Sequence, residues 1–158
     1  MNTTTKEKTI LLSKRGMKEL QRSIVTLEHD RHKAIQELHE QDKTSDREAR
    51  LTYIEKLATL DIIESKLHIK QLTLQSARLV SSRRSRLKVA IGSVVDLIDQ
   101  QGRLFRYMIV DSVEANPSDG RISIASPLGK NLVGKTVRDV IEWSVGLQPR
   151  QLQLVHIS

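Results

Sequence analysis

Two long segments with apolar residues on a single helical face dominate the first half of the chain. In residues 17–38 the apolar positions recur at steps of three and four residues, and the same spacing resumes in residues 53–74. This heptad spacing is typical of helices that pair along one narrow seam. No proline precedes Pro117, so nothing in either segment forces a helix to break. The seam positions are Met17, Leu20, Ile24, Leu27, Ala34 and Leu38, followed by Tyr53, Leu57, Leu60, Ile63, Leu67 and Leu74.

The short polar stretch between the two segments predicts an antiparallel hairpin of two helices. We expect helices of about 28 and about 33 residues, which would run roughly 40–50 Å at 1.5 Å per residue. Because a narrow stripe buries only one seam, such a hairpin would protrude from the rest of the molecule. Pairing with a second molecule would also bury the stripe, but two stripes of similar length around one turn favour self-pairing.

The second half of the chain changes to an alternating apolar pattern with turn signals, which predicts strands. In SPLGKNLVGK (126–135), Ser126 can cap a short helix and Pro127 suits its first turn. The pattern therefore predicts a small α+β domain with a strongly curved antiparallel sheet. The candidate strands are 93–98, 104–110, 121–125, 140–145 and 151–157.

A cluster of cations marks the boundary between the halves. The segment SSRRSRLK (81–88) follows the last heptad position and contains Arg83, Arg84, Arg86 and Lys88. These side chains could contact nucleic-acid phosphate through charge, and a solvated linker explains them equally well. We divide the chain into an N-terminal coiled coil (1–80) with an acidic tip near 40–48, a basic linker (81–90) and a C-terminal domain (91–158).

The charge balance points to an acidic partner. The formal net charge is +7, which favours nucleic acid or a nucleic-acid machine, although it also favours solubility alone. Only four residues are aromatic, too few for a base-stacking platform. Cysteine is absent, which excludes disulfides and thiolate metal sites. No apolar stretch approaches the ~18 residues of a membrane span. We therefore expect a soluble cytoplasmic protein without a membrane partner or a small-molecule substrate.

The stretch between the two heptad segments is acidic although the chain is basic. Glu40, Asp42, Asp46 and Glu48 lie within nine residues. Ser45 to Glu48 has the form of a capping box, with Ser45 as the N-cap. The helix dipole would also favour Asp46 in the first turn, by roughly 0.3–1 kcal/mol. Local helix chemistry therefore explains Asp46 and Glu48 without a ligand, whereas Asp42 and Glu40 have no such role.

Three motifs resemble the bacterial Gre transcript-cleavage factors, GreA and GreB. They are SKRGMKEL (13–20), RYMIVDS (106–112) and, most specifically, SPLGKNLVGK (126–135). The resemblance covers nearly the whole chain and implies an antiparallel coiled coil followed by a domain of FK506-binding-protein (FKBP)-like fold. It also implies that the partner is bacterial RNA polymerase, entered through its secondary channel, together with the 3′ end of the nascent RNA.

What the resemblance implies about mechanism is that tip carboxylates help to hold a second Mg²⁺ in the polymerase active centre. The polymerase then hydrolyses backtracked RNA, so the factor is not itself an enzyme and holds no metal or cofactor alone. Ser126, Pro127 and Leu128 match positions that dock on the polymerase rim. In the family a basic patch guides the RNA 3′ end, and the 81–90 cations are candidates for that contact.

The tip departs from the family pattern, which reads Asp-x-x-Glu-Asn-Ala-x-Tyr. When Tyr53 is aligned with the family tyrosine, the aspartate falls on Asp46, but the glutamate falls on Ala49 and the asparagine on Arg50. The nearest acid is Glu48, one residue early. On a helix one residue is a rotation of about 100°, enough to aim a carboxylate elsewhere.

The candidate metal-assisting residues are therefore Asp46 and Glu48, with Asp42 as an alternative second ligand. Two functions within the family stay open: stimulation of RNA cleavage, and occupation of the channel without cleavage. A third reading belongs to another class, a coiled-coil scaffold or nucleic-acid-binding protein that uses the basic linker and never enters polymerase.

Overall fold

The computed structural model describes residues 8–41, 46–81 and 86–158, which form two compact units. One contains Met17–Ala77 and is called the helical unit below. The other, the sheet unit, combines Thr9–Gly16 with Arg78–Ser158. The elements are β1 (Ile10–Leu12), α1 (Lys14–Gln41), α2 (Arg47–Ser76), β2 (Ala77–Leu79), β3 (Val94–Asp99), β4 (Leu104–Val110), a 3₁₀ turn (Pro117–Asp119), β5 (Arg121–Ser123), α3 (Pro127–Leu132), β6 (Val140–Val145) and β7 (Gln148–Ile157).

The predicted hairpin of two long helices is confirmed. α1 has 28 residues and α2 has 30, close to the expected lengths. The most buried side chains of the pair are seam positions of the sequence pattern: Leu20, Ile24, Leu38 and Leu67, each at most 9% exposed. The heptad stripe is therefore the packed face, as hydrophobic burial along one seam requires. The exception is the predicted seam residue Leu57, which is 42% exposed.

Two ion pairs across the helices show their antiparallel arrangement. Arg31 Nε lies 3.1 Å from Glu64 Oε1, and Lys56 Nζ lies 3.6 Å from Glu37 Oε2. As the α1 partner advances from 31 to 37, the α2 partner retreats from 64 to 56. Arg31 occupies a seam position, and its half-exposed guanidinium reaches this carboxylate at the edge of the seam. Such exposed pairs contribute at most about 1 kcal/mol each, so the apolar seam carries most of the stability.

α2 also carries apolar residues on its outer side. Ile54, Ile62 and Ile69 are 61%, 53% and 63% exposed. Ile62 and Ile69 each lie two residues from a seam position, about 200° around the helix, so the partner helix cannot cover them. In the described part of the chain, none of the helices is long and apolar enough to cross a membrane.

β1 precedes α1 in the sequence, β2 follows α2, and the two strands pair to form a two-stranded sheet that was not predicted. Val80 N donates to Leu12 O at 2.9 Å, and the Leu12 side chain is only 1% exposed. Strands of three residues are too short for a period-two pattern to be recognised in the sequence. This two-stranded sheet therefore depends on pairing between residues nearly seventy positions apart.

The sheet unit is the predicted α+β domain. Its five strands lie in the order β5-β4-β3-β7-β6. β4 and β6 have the predicted bounds, and β3 is displaced by one residue. β7 begins three residues earlier than expected, because its pairing with β6 already includes Pro149 opposite Ser144. The turn between the two strands therefore has only two residues, 146–147, and Gly146 adopts the positive φ of 66° that such a turn requires.

Most of the sheet is antiparallel, but its edge is not. β5 pairs with β4 in parallel, with Met108 opposite Arg121 and Val110 opposite Ser123. The predicted antiparallel sheet is therefore confirmed, with a parallel pair at this edge that was not predicted. The connection from 111 to 120 runs through the 3₁₀ turn and returns the chain to the level of Met108 before β5 begins, so the two strands share a direction.

Aliphatic side chains from the sheet and α3 form the core of this unit. Val89 is 2% exposed and belongs to this core, although it lies within the predicted basic linker. Phe105, Tyr107 and Trp143 pack against the core from partly buried positions. The fully packed members are Val89, Val95, Leu97, Ile109, Leu128, Leu132, Ile141, Leu152, Leu154 and Ile157.

A row of ionisable side chains crosses three strands of the sheet. Arg106 on β4 donates two hydrogen bonds, of 2.7 and 3.0 Å, to the Asp96 carboxylate on β3. His156 Nδ1 on β7 lies 3.7 Å from the same carboxylate. The Arg106 hydrogen bond is the largest cause that lowers the pKa of Asp96 below its ordinary value of 3.8, and burial opposes it in part. Asp96 is therefore held ionised at neutral pH.

We predict that acid weakens the sheet unit partly through Asp96. Because the folded-state pKa is depressed, this contribution to stability is present above the ordinary pKa and is lost as pH falls through the folded value. The thermal unfolding midpoint of wild type should fall more steeply below about pH 4 than that of Asp96→Asn, which lacks the titrating group. Glu142→Gln, at an exposed position on β6, is the matched control. Parallel pH profiles for wild type and Asp96→Asn would contradict the prediction.

Candidate functional site

The acidic tip lies at the start of α2. Asp46 is the N-cap, with extended backbone angles of φ −81° and ψ 151°. Its Oδ1 accepts a hydrogen bond from Arg47 N at 2.6 Å, and its carbonyl accepts from Arg50 N at 3.1 Å. The prediction of Ser45 as N-cap is therefore wrong by one residue, since aspartate caps a helix as well as serine does. Ser45 and Asp42 lie outside the described residues.

The carboxylates of Asp46 and Glu48 are both exposed, but they do not share a helix face. Glu48 is the second residue of α2 and lies in its first turn, where the helix dipole favours an acid. Residues three and four positions apart are neighbours on a helix, whereas residues two apart are not. The neighbours of Asp46 along this face are therefore Ala49 and Arg50. The second acid of the family pattern is missing from that face, and Arg50 occupies the next position along it.

The donor set of the tip suits a hard cation, although the tip alone does not enclose one. Mg²⁺ prefers carboxylate oxygens and commonly takes only one or two of them from a protein. Within residues 8–41, 46–81 and 86–158, no three His, Asp or Glu side chains lie together in a way that could hold a metal ion. Among the described residues, the exposed carboxylates of the tip would therefore need further ligands to complete a metal site.

The segment from Ser126 to Leu128 forms the start of α3. Ser126 Oγ accepts from Gly129 N at 3.0 Å and donates to Ser123 O at 2.7 Å, so it caps the helix as expected. Pro127 occupies the first turn and is exposed. Leu128 is only 5% exposed and belongs to the core. Of the three candidate docking residues, Pro127 therefore offers the accessible surface, while Leu128 holds the segment in place.

Gly129 was not singled out from the sequence, yet its position allows no side chain. A Cβ there would lie 2.0 Å from Ser123 O and 2.9 Å from Ser123 C, which are backbone atoms that cannot move aside. α3 thus packs directly against the end of β5. The glycine inside SPLGKNLVGK was the available signal, because glycine within a short helix often marks close backbone approach.

The basic segment is only partly described. Arg83 and Arg84 lie outside the described residues, whereas Arg86 and Lys88 are exposed. Their neighbour Val89 is anchored by two backbone hydrogen bonds, Val89 N to Lys135 O and Gly134 N to Val89 O, at 2.9 and 2.8 Å. The two described cations thus lie in the sheet unit, directly before a residue of its core. Contact with nucleic acid stays a prediction for all four.

We predict that Gly129→Ala destabilises the sheet unit, because the added methyl group must displace the β5 backbone. The expected loss in the free energy of unfolding is about 1–3 kcal/mol, typical of overpacking. Chemical denaturation with Lys130→Ala, an exposed neighbour in the same helix, provides the comparison. Equal stability of the two variants would show that the close approach at Ser123 is not maintained in solution.

Comparison with known proteins identifies relatives of the whole chain. Residues 84–158 match the family model "Transcription elongation factor, GreA/GreB, C-term". GreA of Zymomonas mobilis is 48% identical over 58 residues, but the match spans only 37% of either chain. GreA of Thermoanaerobacter pseudethanolicus is 28% identical over 153 residues, which cover 95% of this chain and 98% of that relative.

Among solved structures, the GreA factor homolog 1 (Gfh1) protein of Thermus thermophilus is similar, with 26% identity, coverage of 96% of this chain and 99% of that one, and a TM-score of 0.46. The assignment itself rests on the sequence comparisons. The family match covers almost the whole sheet unit after β2, and the similarity to GreA continues through both helices. Residues 84–158 therefore match the GreA/GreB family of transcription elongation factors, and the chain as a whole is similar to GreA.

Proposed function

We propose that the protein binds bacterial RNA polymerase through the secondary channel and stimulates cleavage of backtracked RNA by the polymerase. The observation that carries the proposal is Asp46, an exposed carboxylate at the start of α2 that keeps the family spacing to Tyr53. It lies at the end of a hairpin whose helices are each about 40 Å long at 1.5 Å per residue. Such a hairpin can carry a carboxylate into a narrow channel. The work would take place in the cytoplasm.

The chemistry of the proposal belongs to the polymerase. Hydrolysis of a phosphodiester with two metals needs a clamp on the attacking and leaving oxygens, and Mg²⁺ supplies it when bound. Asp46 would provide an oxygen ligand for the second ion, and Glu48 or Asp42 would provide another. The factor therefore acts as an accessory protein that needs no cofactor of its own.

The sheet unit would supply the attachment to polymerase. Pro127 offers exposed surface on a segment that the Ser126 cap and the buried Leu128 hold in one conformation. Preorganised segments lose little entropy on binding, which favours a stable dock. Arg83, Arg84, Arg86 and Lys88 would contact the nascent RNA 3′ end through charge, as the net charge of +7 favours.

A second candidate function is occupation of the channel without cleavage. The observation that favours it is the replacement of the family glutamate and asparagine by Ala49 and Arg50 on the face next to Asp46. A guanidinium within one helical turn competes with a divalent cation for the same carboxylate. The protein would then inhibit or modulate transcription by excluding other factors from the channel.

We predict that Asp46→Asn abolishes most of the stimulated cleavage while polymerase binding survives. Asparagine caps a helix as well as aspartate does, so the start of α2 should be preserved and only the charged ligand lost. The rate of RNA cleavage in stalled, backtracked complexes should fall at least about tenfold, as metal-site lesions commonly do. Asp61→Asn, an exposed change on the same helix, should leave the rate unaltered. An unchanged rate in Asp46→Asn would move the role to another acid.

The same assay distinguishes the two candidate functions by restoring the family tip. The double variant Ala49→Glu with Arg50→Asn places a second carboxylate three residues after Asp46 and removes the adjacent cation. We predict a cleavage rate several-fold above wild type, with Ala49→Gln and Arg50→Asn as the uncharged control. If wild type alone gives no cleavage but competes with a cleaving Gre factor, the channel-occupying function is correct.

A further inference from the structure

The first turn of α1 rests on a buried carboxylate that sequence analysis did not single out. Glu114 follows β4, and its side chain is only 1% exposed. Its Oε2 accepts from Ser13 N at 2.9 Å, and its Oε1 is hydrogen-bonded to Ser13 Oγ. Arg121 Nη1 lies 3.7 Å from Oε1. All of these residues belong to the sheet unit.

We call this contact between Glu114 and the first turn of α1 the Glu114 seat. Gly16 is part of it because a side chain at this position would collide with the Glu114 carboxylate. A Cβ on Gly16 would lie 2.4–2.7 Å from the three carboxyl atoms of Glu114. Ser13 Oγ also accepts from Gly16 N at 3.0 Å, which makes Ser13 the N-cap of α1. Ser13 alone could cap the helix, as serine does in many proteins. The additional carboxylate and the glycine under it therefore do more than satisfy the cap.

A series of ion pairs extends from Glu114 through Arg121 and Asp119 to Arg15. Arg121 Nη2 lies 2.9 Å from Asp119 Oδ2, and Arg15 Nη2 lies 3.2 Å from the same oxygen. The hydrogen bond from Arg121 is the first cause that lowers the pKa of Asp119, so this carboxylate stays charged at neutral pH. Removing one member of a buried ion pair leaves the other uncompensated, which is costly. The seat therefore has one strongly preferred arrangement.

We propose that Glu114 is a positioning residue for the hairpin tip. It holds the first turn of α1, and α1 continues without proline to Gln41, so restraint at its start is transmitted along the helix. Loss of the seat would leave polymerase docking through Ser126 and Pro127 intact but would misplace Asp46. This inference rests on the proposed function, because the tip matters only inside polymerase.

The contact itself is tested in the free protein by a double-mutant cycle on Gly16→Ala and Glu114→Ala. Gly16→Ala should destabilise the wild type but not Glu114→Ala, since removal of the carboxylate makes room for the methyl group. Contacting residues show such non-additivity, whereas independent ones do not. Glu114→Gln keeps the size but loses the charge, and should speed hydrogen exchange at the Ser13 and Gly16 amides about tenfold or more. In Glu114→Gln, the exchange rates of the Leu97 and Leu154 amides in the sheet should not change. In the control Glu142→Gln, the exchange rates of the Ser13 and Gly16 amides should also stay unchanged.

The positioning role is tested with Glu114→Gln in backtracked complexes. The dissociation constant for polymerase should change less than about threefold, as expected for distant sites. Maximal cleavage at saturating factor should fall about tenfold or more, since small misplacements of catalytic groups are costly. For a factor that does not cleave, the readout is inhibition of nucleotide addition at saturating factor, which should weaken to the same extent.

The outcomes separate the two proposals. An additive cycle or unchanged exchange would show that Glu114 does not seat α1, whatever happens in polymerase. Faster exchange with undiminished cleavage or inhibition at saturating factor would leave Glu114 a purely structural residue and overturn its positioning role. If wild type does not bind polymerase at all, the proposed function fails and the positioning role fails with it, whereas the cycle still judges the seat.

Discussion

The requirement to satisfy backbone N–H groups at helix starts shapes three segments of this protein. The first four N–H groups of a helix have no partner within it. Ser13 Oγ accepts from Gly16 N at the start of α1, Asp46 Oδ1 from Arg47 N at α2, and Ser126 Oγ from Gly129 N at α3. Two of the family motifs and the acidic tip thus each contain a residue that caps a helix. Their positions follow from where each helix can begin.

Capping and function are compatible in the tip because Asp46 is both a cap and exposed. The cap fixes the backbone next to the carboxylate, and this limits the orientations that the side chain can take. Nothing about capping requires an acid three residues later, where Ala49 stands. The tip therefore retains the residue that helix chemistry favours, whereas the residue that only metal chemistry would favour is absent from that face.

Sequence reasoning succeeded where the signal is local. The heptad positions Leu20, Ile24 and Leu67 are buried, and β4 and β6 begin and end as predicted. Period and turn chemistry act over a few residues, so the sequence displays them directly. It did not predict β1, the parallel pairing of β5 or the core position of Val89. Each depends on pairing with distant residues that leaves no periodic trace.

By itself, the sequence determined two stiff amphipathic helices, an acidic stretch between them and a small sheet domain with a serine-capped helix, because propensity, periodicity and capping are properties of neighbouring residues. Tertiary structure alone decided that Glu114, 101 positions after Ser13, lies beneath the first turn of α1. It likewise brought Asp96, Arg106 and His156 into one row. These arrangements arise only when folding closes long loops, since burial then selects which distant charges must meet.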